Sequence, residues 1–308
     1  MSNLKVTILL ATYNGATFLE EQLTSFLEQT WSNIDLLVSD DGSTDETLTV
    51  LQKWQKNWSK GSFKLIQGPG TGYADNFRHL ILSLNDNDGF VAFSDQDDIW
   101  HTNKLEKAIK HLSHLDDNKQ AMYGSRSRLV DREAKPIGYS PLFTKNPSFE
   151  NALVQSIAGG NTIMLNPAAF NLVRESAQRT RFFSHDWWCY QLISGSDGTV
   201  IYDPVPCIDY RQHENNIFGR NNSIHSIKRR LSALLNGDFS KWIDVNLESL
   251  EKCKDLLLVR NVNLANEFKK SRKANFINRL LFLFRNDIKR QTRVPNIILY
   301  VTALIGKL

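Results

Sequence analysis

The first 125 residues alternate between apolar runs and amphipathic stretches, and this alternation constrains the fold more than any other feature of the chain. Four runs are predicted as strands, at residues 5–11, 34–39, 63–67 and 90–94. A helix is predicted after each of them, near residues 17–30, 44–57, 74–84 and 103–115. Strands that alternate with helices in this way predict an α/β fold with a mostly parallel sheet and helices on both faces.

The remainder of the chain has a less regular pattern. Pro136, Gly138, Pro141 and Pro147 interrupt residues 126–151, which we expect to form a mobile surface segment. Regular elements are then predicted at residues 157–166, after Pro167, and at residues 185–194, 199–202 and 207–210. After about Asn222 the pattern is helical and basic. We therefore expect three parts, at residues 1–125, 126–222 and 223–308.

The composition is that of an ordinary globular protein, with 41% hydrophobic and 23% charged residues among 308. Its three cysteines are far apart and fit neither a disulfide framework nor a metal knuckle, which favours a reducing compartment. The first residues lack the architecture of a signal peptide. No uninterrupted apolar segment approaches the roughly 20 residues that span a bilayer. We therefore expect a cytoplasmic protein.

The net charge of +4 is unevenly distributed. Residues 260–308 contain eleven Lys or Arg and two acidic residues, so this segment carries about +9. A basic segment of this kind favours an anionic surface such as a membrane. A helical bundle that covers the rest of the protein is the alternative. A nucleic-acid partner is not expected, because no recognisable module accompanies the charge.

Three carboxylates, Asp95, Asp97 and Asp98, follow the apolar run 90–94 within four residues. Like charges this close oppose one another's ionisation unless a cation binds there. Oxygen ligands suit Mg²⁺ or Mn²⁺, and such an ion usually fills its other positions with water and phosphate. The sequence therefore predicts a metal site and a phosphorylated or diphosphate-linked substrate.

Polar residues also follow the first two predicted strands. Asp40 and Asp41 precede Gly42 and Ser43, where turn chemistry and a capping box with Glu46 explain part of the motif. Asp41 is not needed for the cap and can accept hydrogen bonds from a base or a ribose. Ligands of parallel sheets bind beyond the carboxyl ends of the strands, so we expect this motif to lie beside residues 12–15 and 95–98.

Three further motifs each permit a structural and a functional interpretation. Asp186 opens a predicted helix, where it can complement the helix dipole or take part in chemistry. The neighbouring Trp187 and Trp188 suit either a core or a sugar-binding surface. Arg211 offers a planar fork for phosphate, and His213 can bind a metal or a phosphate. The pair Gly159-Gly160 permits either a turn or a close approach to a ligand.

Taken together, the motifs at residues 11–15, 39–45 and 94–100 resemble those of bacterial family-2 glycosyltransferases with the GT-A fold. The motifs at residues 185–188 and 210–213 resemble the branch that contains rhamnosyltransferases of cell-wall and O-antigen polysaccharides. The resemblance extends over about residues 4–222. It implies a Rossmann-like sheet, with a nucleotide-sugar-binding part at residues 1–125, an acceptor-binding and catalytic part at residues 126–222, and a basic helical segment at residues 223–308.

The resemblance also implies roles for individual residues. Asp186 matches the catalytic base, and Asp97 matches the more direct metal ligand. The residues implied in nucleotide binding are Thr12, Tyr13, Asn14, Asp40, Asp41 and Asp95. The residues implied at the metal or the diphosphate are Asp95, Asp97, Arg211 and His213. We assign a third set to the acceptor or the transferred sugar: Trp187, Trp188, Asp98, Trp100, Gly160 and Asn161.

The implied activity is inverting, metal-dependent transfer of a sugar to a saccharide acceptor, which we expect to be lipid-linked. The first expectation for the donor is dTDP-L-rhamnose, and UDP-linked hexoses or N-acetylhexosamines are the alternative. The Gln-x-x-Arg-Trp signature of processive members is absent from the sequence, which favours transfer of one residue or few. A non-catalytic nucleotide-sugar-binding module would keep Asp41 and the metal site but would not need Asp186. A nucleotidyltransferase is disfavoured, since residues 12–15 contain no Lys or Arg. We expect the protein in the cytoplasm or on the cytoplasmic face of the inner membrane.

Overall fold

A computed structural model of the chain describes residues 4–85, 88–213 and 237–308. Its main layer is a seven-stranded sheet, and a smaller sheet of four strands lies beside it. The strands are β1 (Val6–Thr12), β2 (Ile34–Asp40), β3 (Phe63–Gln67), β4 (Phe90–Ser94), β5 (Ile99–Trp100), β6 (Ala121–Ser125), β7 (Arg128–Val130), β8 (Pro136–Tyr139), β9 (Met164–Leu165), β10 (Thr199–Asp203) and β11 (Ile208–Arg211).

The large sheet has the order β10-β6-β9-β4-β1-β2-β3. Strand β1 lies at its centre and pairs in parallel with β2 and β4, while β3 and β10 extend the parallel pairing at the edges. The short strand β9 is antiparallel to both β4 and β6. The four predicted strands of the first 125 residues are therefore confirmed, and so is the mostly parallel sheet.

Helices cover both faces of this sheet. They are α1 (Ala16–Leu27), α2 (Thr47–Asn57), α3 (Tyr73–Ser83), α4 (Lys104–Leu112), α5 (Phe149–Ala152), α6 (Pro167–Arg179), α7 (His185–Gly195), α8 (Asp238–Lys252), α9 (Val259–Ser271), α10 (Phe276–Arg285) and α11 (Arg293–Leu304). Successive β1 side chains point to opposite faces. Ile8 therefore belongs to one buried cluster with Leu19 of α1, and Leu9 to another with Phe77 of α3.

Residues 126–151, which we expected to form a mobile surface segment, lie largely at the surface but contain more regular structure than the sequence indicated. This segment contributes β7, β8 and helix α5. β7 pairs with β11, some 80 residues later, and these strands build the second sheet in the order β5-β11-β7-β8. Such long-range pairing provides hydrogen-bond partners for the backbone N–H and C=O groups of a segment whose local sequence favours turns. The regular element expected at 157–166 is likewise shorter, with a 3₁₀ turn at Gly160–Thr162 before β9.

The C-terminal part is helical, as predicted. Helices α8 to α11 pack on the face of the sheet that carries α3, α6 and α7, through buried residues such as Ile243, Phe268, Leu283 and Leu299. Residues 214–236, which include the expected boundary after Asn222, lie outside the described residues. In the part of the chain that the structure describes, each helix is too short or too polar to cross a bilayer. All three cysteines are free and buried.

Candidate functional site

A cleft of about 1220 Å³ opens at the carboxyl ends of β1, β2 and β4. This is the edge at which parallel α/β sheets bind ligands. The cleft is larger than a typical small-molecule pocket, so it has room for two substrates. Its lining includes the predicted residues Thr12, Tyr13, Asn14, Asp41, Asp95, Asp97, Gly160, Asn161, Asp186 and His213. Six stretches that are distant in the sequence thus meet around one space.

Tyr13 presents its ring to the cleft, with a 56% exposed side chain. The loop behind it is held in place by hydrogen bonds. Asn14 adopts a left-handed conformation with φ of 48°, and its side-chain oxygen accepts a 2.8 Å hydrogen bond from the main-chain N–H of Thr44. Thr12 is buried and donates to Asp40. Tyr13 is therefore available to stack on a ligand, whereas the side chains of Thr12 and Asn14 hold the loop.

Asp40 and Asp41 have different surroundings, although they are neighbours. The Asp40 carboxylate accepts hydrogen bonds from Thr12 and from both the hydroxyl and the main-chain N–H of Ser43, and it does not line the cleft. We therefore interpret Asp40 as the organiser of the loop rather than a nucleotide ligand. Asp41 lines the cleft and accepts 2.7 and 2.8 Å hydrogen bonds from the main-chain N–H groups of Gly70 and Gly72. Its oxygens retain further acceptor capacity for a ligand.

The predicted capping box at Ser43 is wrong. Helix α2 begins at Thr47, and its N-cap is Glu46. Ser43 instead donates to Asp40 and accepts a 2.8 Å hydrogen bond from the main-chain N–H of Asn14. The Ser43 hydroxyl therefore joins the loop after β1 to the loop after β2. The local sequence does not reveal this contact, because the two loops are distant in the chain.

Gln96 joins the loop after β1, at residues 13–15, to the acidic loop after β4, at residues 95–98, and its position in the sequence indicated no such role. Its side-chain oxygen accepts from the main-chain N–H of Tyr13 at 2.8 Å, and its amide donates to the Tyr13 carbonyl at 2.9 Å. A side chain at Gly15 would collide with this amide, because a Cβ there would lie 2.2 Å from the Gln96 oxygen. The amide therefore fixes the distance between the ring of Tyr13 and the flanking carboxylates.

The acidic loop concentrates negative charge where water is scarce. Burial, together with Asp97 and Asp186, raises the pKa of Asp95 to about 7. Burial, together with Asp97 and Asp95, raises the pKa of Asp98 well above its usual range, even though Asn161 and the main-chain N–H of Arg211 donate to it. A bound cation would oppose both effects, as expected from the sequence.

Asp97 and His213 form the strongest candidate for a metal site. An Asp97 oxygen lies 2.6 Å from Nε2 of His213, so a carboxylate and an imidazole already converge. In the described ranges no three His, Cys, Asp or Glu side chains gather closely enough to enclose an ion. This donor set fits Mg²⁺ or Mn²⁺, because these ions need few protein ligands when substrate phosphates supply the others. It does not fit a structural zinc site with four protein ligands.

The prediction that Arg211 contacts the diphosphate is not supported by its position. Its side chain is 1% exposed and does not line the cleft. The guanidinium donates to the carbonyls of Asp97 and Arg132 and to the carboxylate of Glu21. We therefore interpret Arg211 as a positioning residue for the acidic loop, because a buried guanidinium uses its donors on the protein groups that neutralise it.

Arg132 is the cation that the structure brings to the cleft instead. Among the described cleft residues it is the one Lys or Arg. Its guanidinium lies 5.6 Å from the ring centroid of Phe18, and the same ring stacks on His213 with 5.2 Å between centroids. Arg132 follows β7 in a segment that we expected to be mobile. Its place in the cleft depends on the pairing of β7 with β11, so no local signal identifies it.

Asp186 lies in the first turn of α7 and faces the cleft. The helix N-terminus stabilises a carboxylate at this position. Asp186 and Asp95 both raise the pKa of Tyr73, after the larger effect of burial. The three side chains are therefore close enough to interact electrostatically. The structure thus places Asp186 where a substrate between the acidic loop and α7 can reach it.

His185, next to Asp186, is buried against aromatic rings and has no assigned role from the sequence. Its ring centroid is 3.7 Å from that of Phe77 and 4.9 Å from that of Phe93. Neither ring nitrogen has a hydrogen-bond partner among the described residues. Burial lowers the pKa of His185 to about 4, so the ring is neutral at physiological pH. A side chain at Gly160 would collide with this ring.

Three predicted sugar-binding tryptophans are core residues instead. Trp187 and Trp188 are 5% and 0% exposed, and their indole N–H groups donate to the Ala152 carbonyl and the Ser176 hydroxyl. Trp100 is buried against Phe26. These rings have no free face for a sugar, since the helices and strands around them occupy both sides. Their local sequence permitted either interpretation.

The remaining predicted residues divide between the cleft and the structure beneath it. Gly160 and Asn161 line the cleft and lie in the 3₁₀ turn before β9. Asp98 is fully buried and accepts a hydrogen bond from Asn161, so it supports the cleft from below rather than contacting a sugar.

Comparison with known proteins gives one family and several bacterial relatives. The family model described as Glycosyl transferase family 2 matches residues 7–170. The dTDP-rhamnosyl transferase RfbG of Shigella flexneri is 30% identical over 246 residues, which are 76% of this chain and 80% of that protein. The UDP-Glc:alpha-D-GlcNAc-diphosphoundecaprenol beta-1,3-glucosyltransferase WfgD of Escherichia coli is 27% identical over 243 residues, 78% of this chain and 88% of that protein.

Solved structures show the same fold at low sequence identity. Residues 1–349 of Staphylococcus aureus TarS, in complex with UDP-GlcNAc, superpose with a TM-score of 0.54 at 15% identity, covering 98% of this chain and 89% of that one. GalNAc-T7 with UDP, GalNAc and Mn²⁺ gives a TM-score of 0.52 at 13% identity, covering 75% of this chain and 48% of that one. These similarities confirm the expected GT-A fold.

Proposed function

Because the chain belongs to glycosyltransferase family 2, we propose that it transfers a sugar from a nucleotide sugar to a saccharide acceptor by a single displacement with inversion. The observation that carries this proposal is the convergence of Asp41, Asp97 and Asp186 on one cleft. These residues match the family positions for the nucleotide, the metal and the catalytic base. A cleft of about 1220 Å³ admits a donor and an acceptor together.

In this proposal the nucleotide binds between the first two loops. The exposed ring of Tyr13 stacks on the base, and Asp41 accepts a hydrogen bond from it. The amide of Gln96 holds Tyr13 at a fixed position beside the acidic loop. Two glycine N–H groups hold Asp41, so little side-chain entropy is lost on binding.

Asp97 and His213 would hold Mg²⁺ or Mn²⁺, with Asp95 beside them. When bound, such an ion stabilises the negative charge that develops on the leaving diphosphate. Arg132 supports the same role from the side of Phe18, because its guanidinium can form two parallel hydrogen bonds to phosphate oxygens. In this proposal Arg132 takes the place at the diphosphate that the sequence had indicated for Arg211.

Asp186 acts as the general base. It accepts the proton of the acceptor hydroxyl while the acceptor oxygen forms a bond to the anomeric carbon. The bond from that carbon to the diphosphate oxygen breaks on the opposite face, and its electron pair leaves with the nucleoside diphosphate. Proton removal in the transition state is typically worth about 10² to 10⁴ in rate. A non-catalytic binding module would not need this residue.

The donor and the acceptor are the finer part of the proposal. The 30% identity to a dTDP-rhamnosyl transferase supports dTDP-L-rhamnose as the first candidate, and the 27% identity to a UDP-Glc transferase supports UDP-glucose as the alternative. The printed acceptor of that second relative is a diphosphoundecaprenol-linked sugar, which supports a lipid-linked acceptor in cell-surface polysaccharide synthesis. We place the reaction at the cytoplasmic face of the inner membrane, with residues 1–125 binding the donor and residues 126–222 the acceptor.

The test measures release of nucleoside diphosphate from a panel of nucleotide sugars, each with and without Mn²⁺. We expect turnover of one donor, with dTDP-L-rhamnose first, and no turnover in excess EDTA. The Asp186→Asn variant serves as the matched control, because it should bind the same donor without efficient release. Donor binding with no turnover by the wild type in the presence of any saccharide acceptor would contradict the catalytic proposal. Metal-independent turnover would contradict the assignment of Asp97 and His213.

A further inference from the structure

Helix α10 exposes apolar side chains on one side. Ile277, Leu281 and Phe284 are spaced at i, i+4 and i+7, so they form a stripe along the helix. They are between 42% and 62% exposed, whereas Leu283 on the opposite side is buried in the core. The helix therefore uses one face to pack on the protein and leaves a second apolar face in contact with solvent.

Helix α11 repeats this arrangement. Val294, Ile297, Val301 and Leu304 follow the spacing i, i+3, i+7 and i+10 and are between 44% and 67% exposed. Leu299, between them in sequence, is buried. A single exposed Leu or Ile is ordinary, but a continuous stripe on two helices marks an interaction surface.

The two stripes form one surface. Phe284 belongs to the α10 stripe, and its ring stacks on Tyr300 of α11 with 4.8 Å between centroids. Tyr300 is adjacent to Val301 and one helical turn from Ile297. Arg279 of α10 donates to the Ala303 carbonyl of α11, so the helices run antiparallel. We call the seven stripe residues on this pair the α10–α11 surface.

The structure separates the basic residues of this region into two groups. The guanidinium groups of Arg272, Arg279 and Arg290 donate hydrogen bonds to protein carbonyls or carboxylates. A second group is exposed and forms no ion pair with the residues that the structure describes: Lys273, Arg285, Arg293 and Lys307. Lys273 and Lys307 flank one end of the antiparallel pair of helices α10 and α11, and Arg285 and Arg293 flank the other end.

We propose that the α10–α11 surface docks on an anionic lipid bilayer, with its apolar side chains in the interface and its terminal cations on lipid phosphates. A helix of 12 residues is about 18 Å long, so it lies along the membrane rather than across it. Cations at both ends favour this occupant over a second copy of the chain. A symmetric dimer through the same surface would bring like charges together.

The test is co-sedimentation of the full-length protein with vesicles of phosphatidylcholine alone or mixed with phosphatidylglycerol. We expect binding to the mixed vesicles that weakens with added salt. Ile297→Asp should lower the partition coefficient by about tenfold or more, since an exposed apolar side chain that would enter the bilayer interface becomes charged. Val205→Asp, at an exposed valine remote from the α10–α11 surface, is the matched control. The double variant Arg285→Glu, Arg293→Glu should lower binding at least about fivefold per position.

Several outcomes would overturn the proposal. The surface is excluded as a membrane site if the wild-type protein binds neither kind of vesicle. It is also excluded if Ile297→Asp binds the mixed vesicles as well as Val205→Asp does. A dimer in light scattering that Ile297→Asp dissociates assigns the surface to a second copy instead. Melting temperatures of both variants show whether they fold. Nucleoside diphosphate release with a water-soluble acceptor should be unchanged in Ile297→Asp, so membrane docking can fail while the proposed activity holds.

Discussion

Nε2 of His213 lies 2.6 Å from a carboxylate oxygen of Asp97, although 116 residues separate the two in the sequence. The contact joins the residues after β11 to the acidic loop after β4. It follows from the pairing of β11 with β5, because β5 begins immediately after that loop. The contact combines two motifs that are separate in the sequence into one candidate metal site.

Asp97→Asn keeps the size of the side chain and removes its charge, so the fold should persist while transfer falls by about 10²-fold or more. The dependence of donor binding on Mn²⁺ should also be lost. Nucleoside diphosphate release across a Mn²⁺ titration measures both effects. Asp117→Asn, at an exposed acidic residue outside the cleft, is the control. Full activity of Asp97→Asn would remove this carboxylate from the metal site.

Asp186→Asn and Asp41→Ala should separate chemistry from binding. We expect Asp186→Asn to bind the donor almost normally and to lose about 10² to 10⁴ in turnover, as for other general bases. Asp41→Ala should mainly weaken nucleotide binding. Calorimetric donor affinity and steady-state kcat for each variant provide the comparison. If Asp186→Asn loses donor affinity instead, this residue belongs to the nucleotide or metal site.

Arg132→Gln and Arg211→Gln should have opposite consequences. Arg132→Gln should raise the donor KM by roughly tenfold or more, since a charged hydrogen bond contributes about 1.5–3 kcal/mol, with little change in melting temperature. Arg211→Gln should lower the free energy of unfolding by about 2–3 kcal/mol, because it removes donors from buried carbonyls. Arg260→Gln, an exposed arginine on α9, controls for loss of charge. Equal donor affinity in Arg132→Gln and Arg260→Gln would contradict the role of Arg132.

Trp188→Ala should destabilise the fold by about 3–5 kcal/mol, as expected for truncation of a fully buried indole. Tyr13→Ala should instead leave stability nearly unchanged and weaken nucleotide binding by about 1–3 kcal/mol, the usual value for stacking of a base on a ring. Urea unfolding and donor titration distinguish the two. A stable Trp188→Ala variant with weakened sugar binding would restore the interpretation of this residue as a sugar contact.

His185 should make stability depend on pH. Burial lowers its pKa to about 4, below the ordinary value of 6.5, so the unfolded chain binds a proton first as pH falls. The free energy of unfolding should therefore decrease from about pH 6.5 to about pH 4, by up to about 3 kcal/mol. His185→Gln should flatten this part of the profile. Urea unfolding at several pH values measures the slope, and an unchanged slope in His185→Gln would assign it to other groups.

The pattern of the sequence is sufficient to predict the layers of the fold and the edge at which the site lies. Apolar runs that alternate with amphipathic stretches predicted β1 to β4 and the helices between them, since burial on both faces leaves a pattern that local reading detects. The polar residues after these strands predicted the place of Asp41 and Asp97, because parallel strands bring their carboxyl ends to one edge. Asp186 and His213, which the sequence also singled out, line the same cleft.

Contacts between distant segments determine which side chains face the cleft and which hold it together. The local sequence around Trp187, Trp188 and Arg211 suits a ligand site, yet packing around α7 and β11 buries all three side chains. Arg132 and Gln96 were missed because their positions depend on contacts with Phe18 and Tyr13, each in another segment. Local sequence reports the periodicity of burial, whereas the direction of a polar side chain is set by hydrogen bonds to partners that only the fold brings near.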